Sequence, residues 1–466
     1  MKKIIVLLLS ACVCLAFAAC GGAKNGGTAN GGTEGFLSEA DITINDTIEN
    51  SGDGEHAIEA DGEKTACANT AVNKTGSADG DEADFYGENA AVFATNGATL
   101  DLEEMVIKTD GTHANAVFSY GEGTTVNVKN TVIETAGNCS GGLMTTGNGT
   151  MNAENLTIHT TGNSSAAIRS DRGGGTVDVS GGSYTTDGTG SPAIYSTADI
   201  TVSDAALTST ASQGVVVEGK NSVTLNDVVL TADNNTKNSD KSDVYQAVMI
   251  YQSMSGDADS GKASFAMNGG SLTNKTGDIF FVNNTVADIE LSAADIVNEG
   301  DGVFLRAAAA GWGTEGSNGG RVTLTCEDQT VDGDLIVDSV SALNLYLKGG
   351  SALTGAVNPD GEGGEVYVEL ADGAVWTLTG DSYVSSLTCG ADAIDLNGHT
   401  LYVDGEVYAE GTAANGEAVE FTVAADDGET PQGPGNGTPP GDGKGTPPDG
   451  GKGGTPPAKP GEKRDS

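Results

Sequence analysis

Apolar and polar positions alternate along most of this chain, and the alternation returns at a period of about 25 residues. Each period holds three strand-like segments, of which residues 91–94, 99–102 and 106–109 are one set. Segments this short, rich in Thr and Val, favour β-strands over helices. Because one thin repeat cannot bury its apolar side chains alone, the pattern predicts a solenoid of stacked turns with parallel strands.

Alternation within a strand separates inward from outward positions. In the first strand of each turn we predict these inward residues: Val92, Val117, Leu143, Ile168, Ile194, Val215, Val248, Ile279 and Val303. The residue after each then points outward, which gives the stripe Phe93, Phe118, Met144, Arg169, Tyr195, Val216, Met249, Phe280 and Phe304. Two positions further on, also outward, are Tyr120, Asp171, Glu218, Tyr251 and Arg306. A mostly apolar stripe of this kind is either a binding surface or a face that loops cover, and the sequence leaves both open.

The repeat resembles the right-handed parallel β-helix of pectate lyases, polygalacturonases and bacterial surface adhesins, over roughly residues 40–405. Residues 80–87 and 375–384 are similar to segments of clostridial surface β-helix proteins described as adhesin-like or carbohydrate-binding. The resemblance implies an all-β, pectin-lyase-like fold of about 25 residues per turn and a cell-surface location. It names no ligand.

The chain divides into five predicted segments. Residues 1–19 form an export signal, with Lys2 and Lys3 ahead of an apolar run. The small residues before Cys20 resemble a bacterial lipobox, which implies lipidation at Cys20 and anchoring on the extracellular face of the membrane; plain secretion is the alternative. A Gly-rich flexible tether (20–35), the β-helix (36–333), narrower capping turns (334–425) and a disordered Pro/Gly-rich tail (426–466) follow.

Net charge limits the expected partners. The formal charge is −44 at pH 7, which argues against nucleic acid and against anionic lipid headgroups. Membrane contact is therefore expected only through the lipid anchor. The expected partner is a polysaccharide, or a glycan on the surface of a host or neighbouring cell.

Catalytic patterns on the first outward sheet are weak. Asp171 and Glu218 stand two turns apart, about 10 Å, too far to share one Ca²⁺. No pair of carboxylates occupies neighbouring turns of that face, as hydrolysis of a glycosidic bond needs. The sequence thus predicts non-catalytic adhesion or carbohydrate binding. A polysaccharide lyase or glycoside hydrolase, and a passive surface spacer, remain the alternatives.

Candidate binding residues lie on the stripe and in three insertions, residues 233–245, 253–262 and 309–320. The predicted sugar contacts are Phe118, Arg169, Tyr195, Tyr251 and Trp312. Trp312 lies between two glycines, so it either exposes its ring for stacking on a sugar or anchors its loop. Two acidic loops hold possible Ca²⁺ ligands, which are Asp79, Asp81, Asp84, Asp257 and Asp259. Solvated loops without a metal are the alternative.

Overall fold

The computed structural model describes residues 35–371 and 373–421. The predicted export signal, lipidation at Cys20, the tether up to residue 34 and the tail from residue 426 lie outside these ranges. Inside them, helices are limited to a 3₁₀ turn, Glu39–Asp41, and one short α-helix, Asp81–Phe85. Neither has the length and apolarity needed to cross a bilayer.

Parallel strands on three sides of a coil make up the described chain. The first sheet contains Ile58–Asp61, Val92–Thr95, Val117–Tyr120, Leu143–Thr146, Ile168–Ser170, Ile194–Ser196, Val215–Glu218, Gln246–Tyr251, Asp278–Asn283, Leu305–Ala307 and Leu335–Val337. The second contains Lys64–Ala68, Thr99–Glu103, Thr125–Lys129, Asp199–Ser203, Ser222–Asn226, Lys262–Asn268, Val286–Ser292, Arg321–Glu327, Ala342–Lys348, Glu365–Leu370 and Ser386–Cys389. The third contains Asp46–Asn50, Thr70–Lys74, Val106–Thr109, Val132–Thr135, Ala206–Ser209, Val229–Ala232, Ser271–Asn274 and Asp295–Asn298.

Two long strands, Gly149–Thr160 and Gly175–Thr186, run through both the second and the third sheet and join them. Each strand pairs in register with its equivalent one turn away, as Val117 does with Val92 and with Leu143. The predicted parallel β-helix is therefore confirmed. One turn of this coil, with a strand from each sheet, is called a rung below.

The core is one column of apolar side chains shared by all rungs. Val92, Val117, Leu143, Ile168 and Ile194 are at most 1% exposed, as predicted for inward positions. Further along, the rings of Phe265, Phe280 and Phe304 pack at an angle to one another in the same core, with centroids 5.6 Å apart in each contact. Burial against the next rung stabilises each of them, because no single rung encloses its own side chains.

The predicted outward assignment is wrong at two rungs. Phe280 pairs with inward Val248, and Phe281 pairs with outward Met249, so Phe280 points inward. Phe304 also lies in the core, and Arg306 follows Phe281 in the stripe itself. The assignment is still correct at Val248 and Met249, so the phase is lost across the insertion 253–262 that follows them. A one-residue shift reverses which side chains face the core.

Turns between the third sheet and the first stack so closely that only glycine fits. A Cβ built on Gly137 would lie 1.9 Å from the Gly111 carbonyl oxygen, and one on Gly162 would lie 1.9 Å from that of Gly137. Hydroxyl groups bind these same carbonyls: Ser140 donates to Gly111 at 2.8 Å and Ser165 donates to Gly137 at 3.1 Å. The repeated glycines are thus required by backbone contact from rung to rung.

The C-terminal turns narrow and then close. Four short strands, Thr330–Asp332, Ala352–Thr354, Val375–Thr377 and Ile394–Asp395, continue the third side, and Ser382–Val384, Leu401–Val403 and Glu406–Val407 continue the first. Trp376 is fully buried among them and donates to the Gly355 carbonyl at 2.9 Å. The strand Ala414–Asn415 pairs antiparallel with Ser386–Cys389. This antiparallel closure covers a sheet edge that would otherwise recruit another chain.

We expect Gly162→Ala to destabilise the fold, because the added methyl group meets backbone that has no room to move. Overpacking of this kind costs about 3 kcal/mol, and urea denaturation followed by circular dichroism measures it. Gly390→Ala is the matched control, since nothing lies within 4 Å of a Cβ there, and it should change stability by less than about 0.5 kcal/mol. Equal midpoints for both variants would contradict the packing of this column.

Candidate functional site

The N-terminal half of the outward stripe lies under residues 81–90, called the N-terminal cover below. Phe93, Phe118 and Met144 pack together with Ala90 of this cover. Thr146 Oγ1 donates to the Phe85 carbonyl oxygen at 2.7 Å, which fixes the end of the short helix on the sheet. The helix therefore forms where its apolar side can bury against the stripe, although alone it is too short to be stable.

The C-terminal half lies under the insertions, and residues 233–245 and 309–320 are called the C-terminal cover below. Val244, Ala310 and Trp312 of this cover pack on a cluster formed by Val216, Met249, Tyr251 and Phe281. The two insertions contact each other, because Gly311 N donates to the Lys241 carbonyl at 2.7 Å. Trp312 stands edge-on to Tyr251, with ring centroids 5.2 Å apart.

Burial decides between the two interpretations of the stripe. Phe118 is fully buried and Tyr251 is 6% exposed, so neither offers a ring face to a sugar in this structure. Trp312 is half-buried and serves as the anchor of its loop. Arg169 and Tyr195 are also half-buried and lie between the two covers. The stripe is therefore covered at both ends and open only in the middle.

Arg172 joins the N-terminal cover to the second insertion. Its Nη1 is 3.0 Å from Asp81 Oδ2, and its Nε is 2.9 Å from Asp257 Oδ1. The guanidinium carbon also lies 3.6 Å from the centre of the Phe85 ring. Two acidic loops far apart in sequence thus meet on one arginine, in a geometry that combines ion pairs with a cation–π contact.

A second arginine, Arg169, lies three residues before Arg172, in the strand Ile168–Ser170. Arg169 Nη2 is 2.7 Å from Asp171 Oδ2 and 3.4 Å from Asp84 Oδ1. His113 Nδ1 is 3.7 Å from the same Asp84 oxygen. Burial lowers the pKa of His113 more than Asp84 raises it, so the ring is neutral at pH 7 and adds no cation to the group.

Glu218 is the most enclosed carboxylate of the site, at 1% exposure. Tyr195 Oη and Ser253 Oγ each donate a hydrogen bond to one of its two oxygens. Burial raises the pKa of Glu218, and the hydrogen bonds from Ser253 and Tyr195 oppose that rise. Burial also raises the pKa of Tyr195 well above its usual value, with Glu218 adding to the effect.

Carboxylates outnumber guanidinium groups in this network. Four acids, Asp81, Asp84, Asp171 and Asp257, pair with the two arginines, and a fifth, Glu218, lies near Asp257. Burial raises the pKa of Asp171 from 3.8 to about 7; Arg169 opposes the rise, while Asp257 and Asp84 add to it. Proton uptake near neutral pH is the expected consequence, because a buried excess of negative charge costs free energy.

Between the covers lies a small recess of about 40 Å³. Its lining includes the side chains Asp84, Phe85, Arg169, Asp171, Pro192, Tyr195 and Asp257. Arg169 Nη1 is buried without a hydrogen-bond partner. The recess thus combines an apolar wall with an unused donor and several acceptors, in a space that holds one or a few water-sized groups.

A larger depression, of about 420 Å³, lies on the second sheet, on a different face of the coil from these groups. Its polar side chains pair with one another: Asn127 donates to Asp101 at 2.7 Å, Asn152 donates to Asn127 at 2.8 Å, and Lys129 binds Glu154. It is a shallow ladder of satisfied surface groups with no aromatic residue in its lining. The smaller recess is therefore the better candidate site.

The predicted Ca²⁺ ligands lie next to cationic side chains. Asp81 and Asp257 bind Arg172, Asp84 lies beside Arg169, and Asp259 Oδ2 is 3.0 Å from Lys220 Nζ. Asp79 is exposed. Across residues 35–371 and 373–421, no group of three or more acidic, His or Cys side chains is arranged to hold a metal ion. Ca²⁺ at these loops stays a prediction.

Sequence reasoning missed Arg172 and Ser253 as members of the site. Arg172 follows the strand Ile168–Ser170, so strand alternation assigns it no direction. Ser253 lies at the start of an insertion, where only long-range packing places it on Glu218. The sequence did contain one signal for a polar site near these residues: the stripe changes from the apolar Phe93, Phe118 and Met144 to the charged Arg169.

We expect Arg172→Met to loosen both loops that the arginine joins. The apolar stem still contacts Phe85, but Asp81 and Asp257 lose their charged partner, at a cost of about 2 kcal/mol. Hydrogen–deuterium exchange should therefore rise in residues 79–90 and 253–262 and stay unchanged in the inner strands. Lys129→Met, which breaks the exposed pair with Glu154, is the control. Unchanged exchange in both loops would refute the junction.

Stability should fall as pH rises across the neutral range. Because Asp171 has a folded pKa raised to about 7, the folded state binds more protons than the unfolded state. The resulting stabilisation is fully present below about pH 4 and is lost as pH rises through about 7. Thermal unfolding from about pH 5 to about pH 8 measures the slope, which Asp171→Asn and Glu218→Gln should each flatten.

Glu122→Gln is the control for this slope, since Glu122 is exposed. It should leave the pH dependence as in the unmodified protein. Parallel curves for all four proteins would show that neither Asp171 nor Glu218 changes its protonation on folding.

Comparison with known proteins adds no name to this geometry: no family model, no curated protein and no solved structure matches the chain.

Proposed function

We propose that this protein is a non-catalytic surface β-helix that binds glycans where the recess opens between the two covers. The observation that carries the proposal is the recess itself, with Arg169, Tyr195 and three carboxylates around it. Carboxylates and a guanidinium group bind sugar hydroxyls by charge-assisted hydrogen bonds. The buried Phe85 side chain forms part of the apolar wall that a single hydroxyl-bearing group would contact.

The size of the recess defines what it accepts. At about 40 Å³ it holds one hydroxyl-bearing group and excludes a whole sugar ring. The remainder of a glycan would lie over the C-terminal cover, where Trp312 is half-buried. Tyr195, Tyr251 and Trp312 belong to one cluster that connects the recess with this cover. A rigid solenoid suits this arrangement, because the covers that form the binding surface are loops held on a fixed scaffold.

A glycan array probed with the purified protein tests the proposal. We expect saturable binding to one class of glycan, and about a tenfold loss of affinity in Trp312→Ala, in line with the truncation of one aromatic contact. Tyr402→Ala is the matched control, since Tyr402 is also half-buried but stacks on Tyr383 at the C-terminal end. A blank array would overturn the proposal, and equal loss in both variants would move the site away from Trp312.

Acid–base chemistry on a glycosidic bond is the second candidate, and one observation favours it. Asp171 and Glu218 are both buried carboxylic acids with raised pKa values, and Tyr195 lies on the rung between them. Their two-rung separation of about 10 Å is near the upper limit for an inverting hydrolase. Release of reducing ends from a bound glycan, abolished in Glu218→Gln, would favour this candidate over binding alone.

A further inference from the structure

Lys74 departs from the repeat pattern at the first rungs of the coil. Its equivalents on the following rungs are Thr109, Thr135, Thr160 and Thr186. The hydroxyls of Thr135, Thr160 and Thr186 each donate to the carbonyl of the serine five residues further on in the same rung. The fold therefore needs only a small hydroxyl here, yet this position holds an amine that is 0% exposed.

The amine faces the carboxamide of the neighbouring strand. Asn50 pairs with Lys74 in the parallel register of Asp46–Asn50 and Thr70–Lys74, and Lys74 Nζ is 3.1 Å from Asn50 Oδ1. Nζ also contacts the Gly52 carbonyl oxygen. Gly76 makes room for this group, because a Cβ on it would lie 2.6 Å from Nζ.

The carboxamide is held in one orientation by two further hydrogen bonds. Asn50 Nδ2 donates to the His56 carbonyl at 3.1 Å, and Gly52 N donates to Asn50 Oδ1 at 3.2 Å. Oδ1 thus accepts a backbone N–H, which stabilises negative charge that develops on it. Fixing the two reacting groups on adjacent strands removes most of the entropic barrier to their reaction.

Burial also favours the reactive form of the amine. Desolvation lowers the pKa of Lys74, and Asp53 and Glu55 oppose that shift. Among the described residues, no carboxylate lies within ion-pair distance of Nζ. A neutral lysine amine in such a site is a nucleophile.

We propose that Lys74 and Asn50 form an intramolecular isopeptide bond. Nζ attacks Asn50 Cγ; the Nζ–Cγ bond forms, the Cγ–Nδ2 bond breaks, and one proton passes from Nζ to Nδ2, so that ammonia leaves. No oxidant or other reactant is needed. Glu55, whose charge acts on Lys74 and whose carboxylate lies against Gly52, would carry the proton through one bridging water.

Trypsin digestion of the full chain followed by mass spectrometry tests the bond directly. Trypsin does not cleave after an acylated lysine, so residues 25–64 should appear joined to residues 65–108, lighter than their sum by one ammonia. Separate peptides 25–64 and 65–74 at their sequence masses would overturn the proposal, and leave Lys74 as a hydrogen-bond donor to Gly52. Cyclisation of Asn50 alone also loses ammonia, but it does not join the peptides.

Two variants extend the test. In Asn50→Asp the same reaction releases water, so the joined peptide should lose water instead of ammonia. Glu55→Gln should slow the appearance of the joined peptide at least tenfold, as loss of a general base does. Glu49→Gln, an exposed change on the same strand, is the matched control and should cross-link at the rate of the unmodified protein.

Discussion

Parallel pairing between neighbouring rungs places chemically similar residues above one another along the whole protein. Gly111, Gly137 and Gly162 stack with no room for a Cβ, and the serines beside them donate to the same row of carbonyls. Each rung completes its core and its hydrogen bonds only against the rungs on either side. A residue that breaks the column therefore disturbs two interfaces at once.

The same pairing explains how much of the fold the sequence revealed. Inward positions such as Val117 and Ile168 follow from strand alternation, which depends only on neighbours along the chain. The assignment of Phe280 was wrong because register after a long insertion is set by pairing with Met249 and its neighbours, and local alternation carries no information about that pairing. Periodicity is thus reliable inside a run of regular rungs and loses its phase across an insertion.

The candidate site was predictable only in part, for a related reason. Arg169 and Tyr195 stood out because they interrupt an apolar stripe on a face that alternation identifies. The burial of Phe118 depends on residues 81–90 folding back over three rungs, and Arg172 becomes central only when Asp81 and Asp257 reach it from both sides. Such contacts join distant parts of the chain, and a sequence pattern records only what repeats locally.

Buried charge is handled in different ways at two places in this coil. At the recess, arginines bind several carboxylates, and the remaining excess of acid is relieved by raising the pKa of Asp171. At the first rungs, Lys74 has a carboxamide and a carbonyl as neighbours, and desolvation lowers the pKa of its amine. The first solution leaves a group that responds to pH, since the proton exchanges with water. At Lys74, acylation of the amine would remove the charge permanently. Among the described strands, Asp46–Asn50 pairs on one side only, with Thr70–Lys74, and this is the pairing that such a bond would make covalent.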